Sequence, residues 1–252
     1  MDRGLAYAEA CFETFRVIDA TIFDWQGHWQ RMLGGLAEFG LQIDSAQAGE
    51  IRQHCLREAA KLGNDVLVRI TISGGESGWG LTNRATEPLL QIQCVAYAMN
   101  ATPITLQLQS WPFPLKQKSA KFVADYGDTL RALHGATDAQ VLFEKNGFLL
   151  ATATANILLY RDAGWHTPTA DAGVLPGRVR EFLLGCGLVR ETSCPVAWLA
   201  DCDAMAVCNS GVFIRAVSGI HPVQRSHAMD TQHPALQALT DALGSAEGVR
   251  LW

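Results

Sequence analysis

Apolar residues recur at helical spacing twice in the first quarter of the chain. Residues 25–41 place Trp29, Met32, Leu33, Leu36 and Phe39 three and four apart, and 45–62 repeat this with Ile51, Cys55, Leu56, Ala59 and Leu62. Both stretches read as amphipathic helices. Ahead of them, Cys11 to Ile18 alternates apolar and polar residues, as do 66–72, 90–96 and 104–109. Each reads as a strand with one buried face. The front of the chain is therefore expected to be an α+β domain with largely antiparallel strands.

The pattern changes at Trp111-Pro112-Phe113-Pro114-Leu115, where two prolines remove backbone donors and disfavour both helix and central strand. This predicts an N-terminal domain over 1–111, a linker over 112–120 and a C-terminal domain over 121–252. Past the linker the spacing predicts a helix near 125–134, a strand at 140–143 and a strand pair through 148–160. Asn146-Gly147 marks a hairpin turn, since both residues tolerate positive φ. Leu175-Pro176-Gly177 leads into a helix through Phe182 and Leu183, Ala204 to Cys208 is a short apolar strand, and 234–243 is a helix with Pro234 in its first turn.

Composition narrows the function classes. The chain has 252 residues, 48% of them hydrophobic and 18% charged, with a formal net charge of -5. That balance offers no field for a polyanion, so neither nucleic acid nor an anionic membrane surface is an expected partner. The opening residues lack a charged-then-apolar leader pattern and no apolar run approaches the roughly 18 residues that span a bilayer. A cytoplasmic location is expected. The seven cysteines are scattered and never form a tight pair, which predicts small buried hydrophobes rather than a metal or disulfide framework.

Only five lysines are present, and three of them, Lys116, Lys118 and Lys121, cluster just past the expected linker. Lys121 alone sits among apolar neighbours, Ala120 and Phe122-Val123-Ala124. Desolvation there lowers an amine's pKa toward nucleophilic competence. A phosphate anchor needs cations, amides and hydroxyls converging on one dianion. Arg31 one turn past His28, the Gly177-Arg178-Val179 helix start and Asn209-Ser210-Gly211 after a strand supply such groups.

The order of these features resembles a known family. Arg3 to Tyr7, Phe12-Glu13-Thr14-Phe15-Arg16-Val17 and His28-Trp29-Gln30-Arg31-Met32 are similar to the opening of the fold-type-IV pyridoxal-phosphate enzymes, the class IV aminotransferases and aminodeoxychorismate lyases. Lys121 with Tyr126, Gly135 to Ala139, Asn146-Gly147, Asn156-Ile157, Thr167-Pro168, Leu175 to Arg180 and Cys208-Asn209-Ser210 continue the match in order. The resemblance implies a two-domain α+β fold with pyridoxal 5'-phosphate between the domains, in a homodimer acting on a small amino substrate. It implies that Lys121 holds the cofactor covalently and moves protons at the substrate α-carbon. It further implies that Arg31, Gly177, the amides of Arg178 and Val179, and Ser210 hold the phosphate, with Tyr126 beside the reactive carbon.

Three departures bear on the reaction. Ala151 stands where relatives commonly carry a glutamate that keeps the cofactor's ring nitrogen protonated, which predicts a weaker electron sink. Gly74 and Trp79 stand where lyase relatives show arginines, leaving Arg69, Arg84 and Arg215 as candidates for a substrate carboxylate. The chain also starts about a dozen residues later than relatives usually do. The first expectation is a lyase resembling 4-amino-4-deoxychorismate lyase, which eliminates pyruvate to leave an aromatic amine. The second is an aminotransferase on D- or branched-chain amino acids, and the third a non-catalytic homologue.

Overall fold

The computed structural model describes residues 1–84, 87–134, 136 and 140–246. Of the motif 135–139, all but Ala136 lies outside the described residues. The chain divides into two compact units, Met1–Ala98 with Ser119–Gly127, and Met99–Lys118 with Asp128–Trp252.

The first unit contains α1 (Arg3–Tyr7), β1 (Ala10–Ile18), β2 (Thr21–Ile22), α2 (Trp25–Glu38), α3 (Ser45–Ala60), β3 (Asp65–Ser73) and β4 (Leu89–Ala96). Its strands form an antiparallel sheet in the order β2-β1-β3-β4. Side-chain alternation decides which face is covered. Cys11, Phe15 and Val17 of β1 join Val66, Val68, Ile70 and Ile72 of β3 and pack on Trp29, Met32 and Leu36 of α2 and Ile51, Cys55 and Ala59 of α3. Each Val, Ile, Leu, Phe or Met side chain among them, once fully buried, stabilises the unit by roughly 1.5–3 kcal/mol. Asp24 starts α2 by accepting from the Gly27 amide at 3.1 Å, and α3 opens on a capping box between Asp44 and Gln47. Gly40 ends α2 in the left-handed region at φ 72°.

The second unit contains β5 (Ile104–Ser110), β6 (Gln140–Lys145), β7 (Phe148–Thr152), β8 (Asn156–Arg161), β9 (Gly164–Thr167), α5 (Arg178–Gly185), β10 (Val189–Glu191), β11 (Ala204–Asn209), β12 (Phe213–His221) and α6 (Pro234–Ala246), with α4 (Tyr126–Leu133) starting in the first unit's segment; these labels follow chain order. The eight strands lie in the order β10-β9-β8-β11-β12-β5-β6-β7. Leu106, Leu142, Ile157, Leu159, Val207 and Val217 fill one core on this sheet. The hairpin β6–β7 turns through Asn146 at φ 53° and Gly147 at φ 82°, the left-handed pair that a two-residue turn requires.

Packing groups the chain differently from the 1–111, 112–120 and 121–252 division that composition suggested. β5 is a strand of the second unit's sheet, parallel to both β12 and β6, because Ile104 and Leu106 enter that core. Residues 119–127 side with the first unit, since the Phe12 amide donates to the Lys121 carbonyl at 3.0 Å and Phe122 bridges Cys11. Close approach is permitted by Gly35, where a Cβ would stand 2.7 Å from the Ala120 Cβ and 2.8 Å from the Cys11 Sγ. All seven cysteines are free thiols. Among the described residues no helix is long and apolar enough to cross a membrane.

Candidate active site

In the first unit the site is built around the ring of Phe12. β1 pairs Phe12 with Thr71, so Arg69 lies two residues along β3 on the same face of the sheet. The Arg69 guanidinium carbon rests 3.8 Å from the Phe12 ring centroid, and the Tyr126 ring lies 5.0 Å away, tilted by 56°. Lys121, hydrogen-bonded through its carbonyl to the same residue, brings its Nζ to 5.5 Å from that ring. Burial pushes the Lys121 amine down from 10.5 to about 8, with Arg31 and Arg69 adding to the effect and Glu13 opposing it. Burial likewise raises the Tyr126 phenol, which outweighs the pull of Arg31 and Arg69 and keeps it a proton donor.

The opposite face of β1 carries a group that the sequence reading passed over. Glu13 sits in the apolar stripe of Cys11, Phe15 and Val17 and is 1% exposed. Its Oε1 accepts from the Arg31 Nε at 2.7 Å and its Oε2 from an Arg31 Nη at 2.8 Å, the two-pronged geometry that suits a guanidinium best. The ring of His28, also buried, places Nδ1 2.7 Å from the Glu13 Oε2. His28 and Arg31 are three apart on α2 and so share a face. These bonds hold the Glu13 carboxyl well below the usual carboxylate range despite burial, and burial holds the His28 imidazole below its ordinary value, so it stays neutral and donates Nδ1–H.

In the second unit, two asparagines arrange two loops. Asn156 opens β8 and pairs with Cys208 of β11, so the start of one strand lies beside the end of the other. The Asn156 amide donates to the Leu175 carbonyl at 2.9 Å, and its Oδ1 lies 2.1 Å from where a Cβ on Gly177 would stand. Gly177 is the N-cap of α5 and gives no side-chain cap, leaving the first amides of the helix, those of Arg178 and Val179, directed at whatever meets the helix end. At the end of β11 the Asn209 Oδ1 accepts from the amides of Gly211 at 2.8 Å and Val212 at 2.9 Å, and its amide donates to the Thr154 carbonyl at 3.1 Å. Ser210, 8% exposed, sits in that ordered turn.

Gly177→Ala follows as a test of this packing. The backbone there, φ -68° and ψ 141°, suits any residue, so only the clash with Asn156 opposes a methyl group. A loss of about 1–3 kcal/mol is expected by urea denaturation. Asn156→Ser in the same chain should recover part of it, and a double variant no better than the single would show that the clash is not the cause.

The remaining candidates separate. Arg69 belongs to the Phe12 cluster, whereas Arg84 is an exposed side chain donating to the Phe39 carbonyl at 2.7 Å, and Arg215 lies in the second unit, donating to the Thr102 carbonyl at 2.8 Å. Gly74 leaves no room for an arginine without movement, since the Glu9 Oε1 lies 2.8 Å from its Cβ position, and Trp79 is 85% exposed. Ala151 packs into an apolar cluster with Val141, Phe143, Leu150 and Val174.

The model of the family described as amino-transferase class IV matches residues 10–220. Among solved structures, a Legionella pneumophila protein named "Putative 4-amino-4-deoxychorismate lyase" superposes with a TM-score of 0.82 at 25% identity, covering 98% of this chain and 94% of that one. A branched-chain amino acid aminotransferase of Escherichia coli shares the fold with a TM-score of 0.81 at 20% identity, covering 98% and 89%. A Rickettsia typhi protein named "Probable branched-chain-amino-acid aminotransferase" is 22% identical over 241 residues, 87% of this chain and 81% of that one.

Proposed function

Since the chain belongs to the class IV aminotransferase family, we propose that it eliminates pyruvate from an amino-substituted cyclohexadiene, as a 4-amino-4-deoxychorismate lyase does, with Lys121 holding the cofactor and moving the substrate proton. Family membership makes it a pyridoxal-phosphate-dependent enzyme that acts on a small amino substrate. The observation that carries the proposal is Lys121, whose amine is shielded beside the Phe12 ring and loses its proton near pH 8.

The residues present fit pyridoxal 5'-phosphate. Its aldehyde needs a desolvated amine that can be neutral, which Lys121 supplies. Its phosphate needs fixed donors; the first unit by itself offers Arg31, and the second by itself offers the Arg178 and Val179 amides with Ser210, where Gly177 keeps the helix end clear of a side chain. Bound there, the cofactor supplies a sink for the electrons that develop at the substrate α-carbon.

The chain's own residues do the rest. Lys121 takes the proton from the carbon bearing the amine. As it does so the ether C–O bond to the enolpyruvyl group breaks, the enolate leaves and takes on its methylene carbon the proton that Lys121 removed, giving pyruvate, and the ring becomes aromatic. Tyr126, kept protonated, donates a hydrogen bond near the reacting amine. Arg69, cationic and stacked on Phe12, is the proposed partner of the substrate carboxylate. Ala151 leaves a neutral methyl group where relatives carry a carboxylate, and an elimination driven by aromatisation depends less on a strong electron sink than transamination does.

The test is product analysis with purified protein, cofactor and 4-amino-4-deoxychorismate. Pyruvate and p-aminobenzoate in equal amounts are expected. Amine transfer from D- or branched-chain amino acids to a 2-oxo acid, without pyruvate release, would instead support the aminotransferase reading, which the likeness to the Rickettsia typhi protein favours. A protein that neither binds the cofactor nor turns over either substrate would support the non-catalytic one. We also propose a homodimer, which light scattering on the eluting protein would check.

Arg31→Ala is expected to weaken cofactor binding by about 1.5–3 kcal/mol, the range for a hydrogen bond to a charged group. A titration with pyridoxal 5'-phosphate measures it, and an unchanged affinity removes Arg31 from the anchor.

A further inference from the structure

We propose that Glu13 is a positioning residue of this site, which aims the Arg31 guanidinium and sets the charge balance under which Lys121 works; the proposal rests on the reading of Lys121 as the cofactor lysine. The geometry is that of a carboxylate placed behind the site rather than in it. The Phe12 amide holds the Lys121 carbonyl at 3.0 Å, so the next residue of β1, Glu13, is anchored beside the lysine's backbone but turns its side chain to the other face of the strand. There it takes two bonds from Arg31 and one from His28, at 2.7, 2.8 and 2.7 Å. Arg31 gives its Nε edge to Glu13, so the guanidinium plane is fixed. A long flexible side chain thereby becomes a directed donor.

Charge points the same way. Among the described residues, Glu13 from β1, His28 and Arg31 from α2 and Arg69 from β3 interact electrostatically with Lys121, and Tyr126 from α4 shares the Phe12 ring with it. His28 and Tyr126 are neutral, so among the described residues two guanidiniums act on the amine against a single carboxylate. With Glu13 absent, Lys121 would face both cations unopposed. Glu13 therefore acts in two separable ways: its charge raises the amine's proton affinity, and its two bonds fix the direction of the Arg31 guanidinium.

The test uses the protein without cofactor. Trace acylation with acetic anhydride across a pH series, read peptide by peptide by mass spectrometry, gives the midpoint at which Lys121 becomes reactive, with Lys61, Lys116 and Lys145 as references in the same sample. In Glu13→Gln, which keeps size and an acceptor but loses charge, the Lys121 midpoint is expected to fall by about one pH unit or more, as for loss of a nearby opposite charge. In Arg31→Gln it is expected to rise. An unchanged or higher midpoint in folded Glu13→Gln overturns the proposal. Should that variant not fold, Arg31→Gln decides, and an unchanged or lower midpoint there overturns it equally.

A second measurement isolates the aiming of Arg31. Pyridoxal and pyridoxal 5'-phosphate are titrated against parent and Glu13→Gln, and the ratio of their affinities reports the phosphate contact alone. That ratio is expected to shrink about tenfold, and an unchanged ratio refutes the aiming role. Parent protein in which borohydride traps no cofactor on Lys121 would sink the functional reading, while the acylation midpoints would still judge Glu13.

Discussion

Replacing Lys121 with alanine is expected to abolish turnover and to leave the cofactor-free protein more stable near neutral pH. Loss of a positioned general base alone lowers a rate by about 10²–10⁴-fold, and here the covalent hold on the cofactor goes with it. The stability gain follows from linkage. In the folded protein the amine titrates near 8, against an ordinary 10.5, so between those values the unfolded chain holds a proton that the folded one has lost. Where the unfolded state binds more protons, stability rises with pH. The parent is thus penalised below about pH 8 and the penalty fades as pH climbs toward 10.5. Its full size is on the order of 3 kcal/mol, and the variant gains less because the methylene stem beside Phe12 is lost. The alanine backbone still accepts from the Phe12 amide, so the segment stays docked. Urea denaturation of both cofactor-free proteins at pH 7 and pH 9.5 measures the effect. A gap between them that does not narrow toward the higher pH would show that the amine is not desolvated.

The elements that carry this site were legible wherever one periodicity dominated. β3 and β4 alternate cleanly, β1 alternates over part of its length and is buried on both faces, α2 and α3 keep their apolar stripe for several turns, and the structure places all five within a residue or three of the patterns. β12 escaped because Phe213-Ile214-Arg215-Ala216-Val217-Ser218-Gly219 has no steady alternation, being a central strand with neighbours on both sides. β5 was recognised as a strand but attached to the wrong partner, since a period of two says which side chains are buried and nothing about which sheet buries them. Lys121 could be singled out because an amine among apolar residues is unusual along the chain. Glu13 could not be singled out in the same way, because His28 and Arg31 are 15 and 18 residues away on another element, and only the packing of α2 on β1 brings them to its carboxylate. The Asn156–Gly177 contact is hidden for the same reason: a glycine before a helix reads as a cap, and the side chain that forbids a Cβ comes from β8.

Glu13→Ala is expected to cost about 3–5 kcal/mol of stability, because it leaves the Arg31 guanidinium buried without its carboxylate. The pair itself is not the source of that number. Two charges taken out of water together roughly break even with apolar residues of similar size, so Arg31→Met added to the first change should recover most of the loss while abolishing the phosphate contact. A triad that contributes little net stability yet is expensive to break is better suited to holding a functional arginine still than to holding the fold together. The pH dependence separates its members. Glu13 is held well below the ordinary 4.5, so the stability it contributes is present above that value and is lost as pH falls below it, when the unfolded chain takes up the proton first. His28 stays neutral in the fold, so it weakens the folded state as pH falls below its ordinary 6.5. The stability gap between parent and Glu13→Ala should therefore be wide at pH 7 and begin to close once the solution is more acid than about 4.5, whereas a loss through His28 persists in both proteins. Urea denaturation of the three cofactor-free proteins at pH 7, 5.5 and 4 supplies the comparison. If the double variant were no more stable than Glu13→Ala, the unpaired guanidinium could not be the origin of the loss, and packing of the Glu13 methylenes against Cys11 and Phe15 would have to account for it.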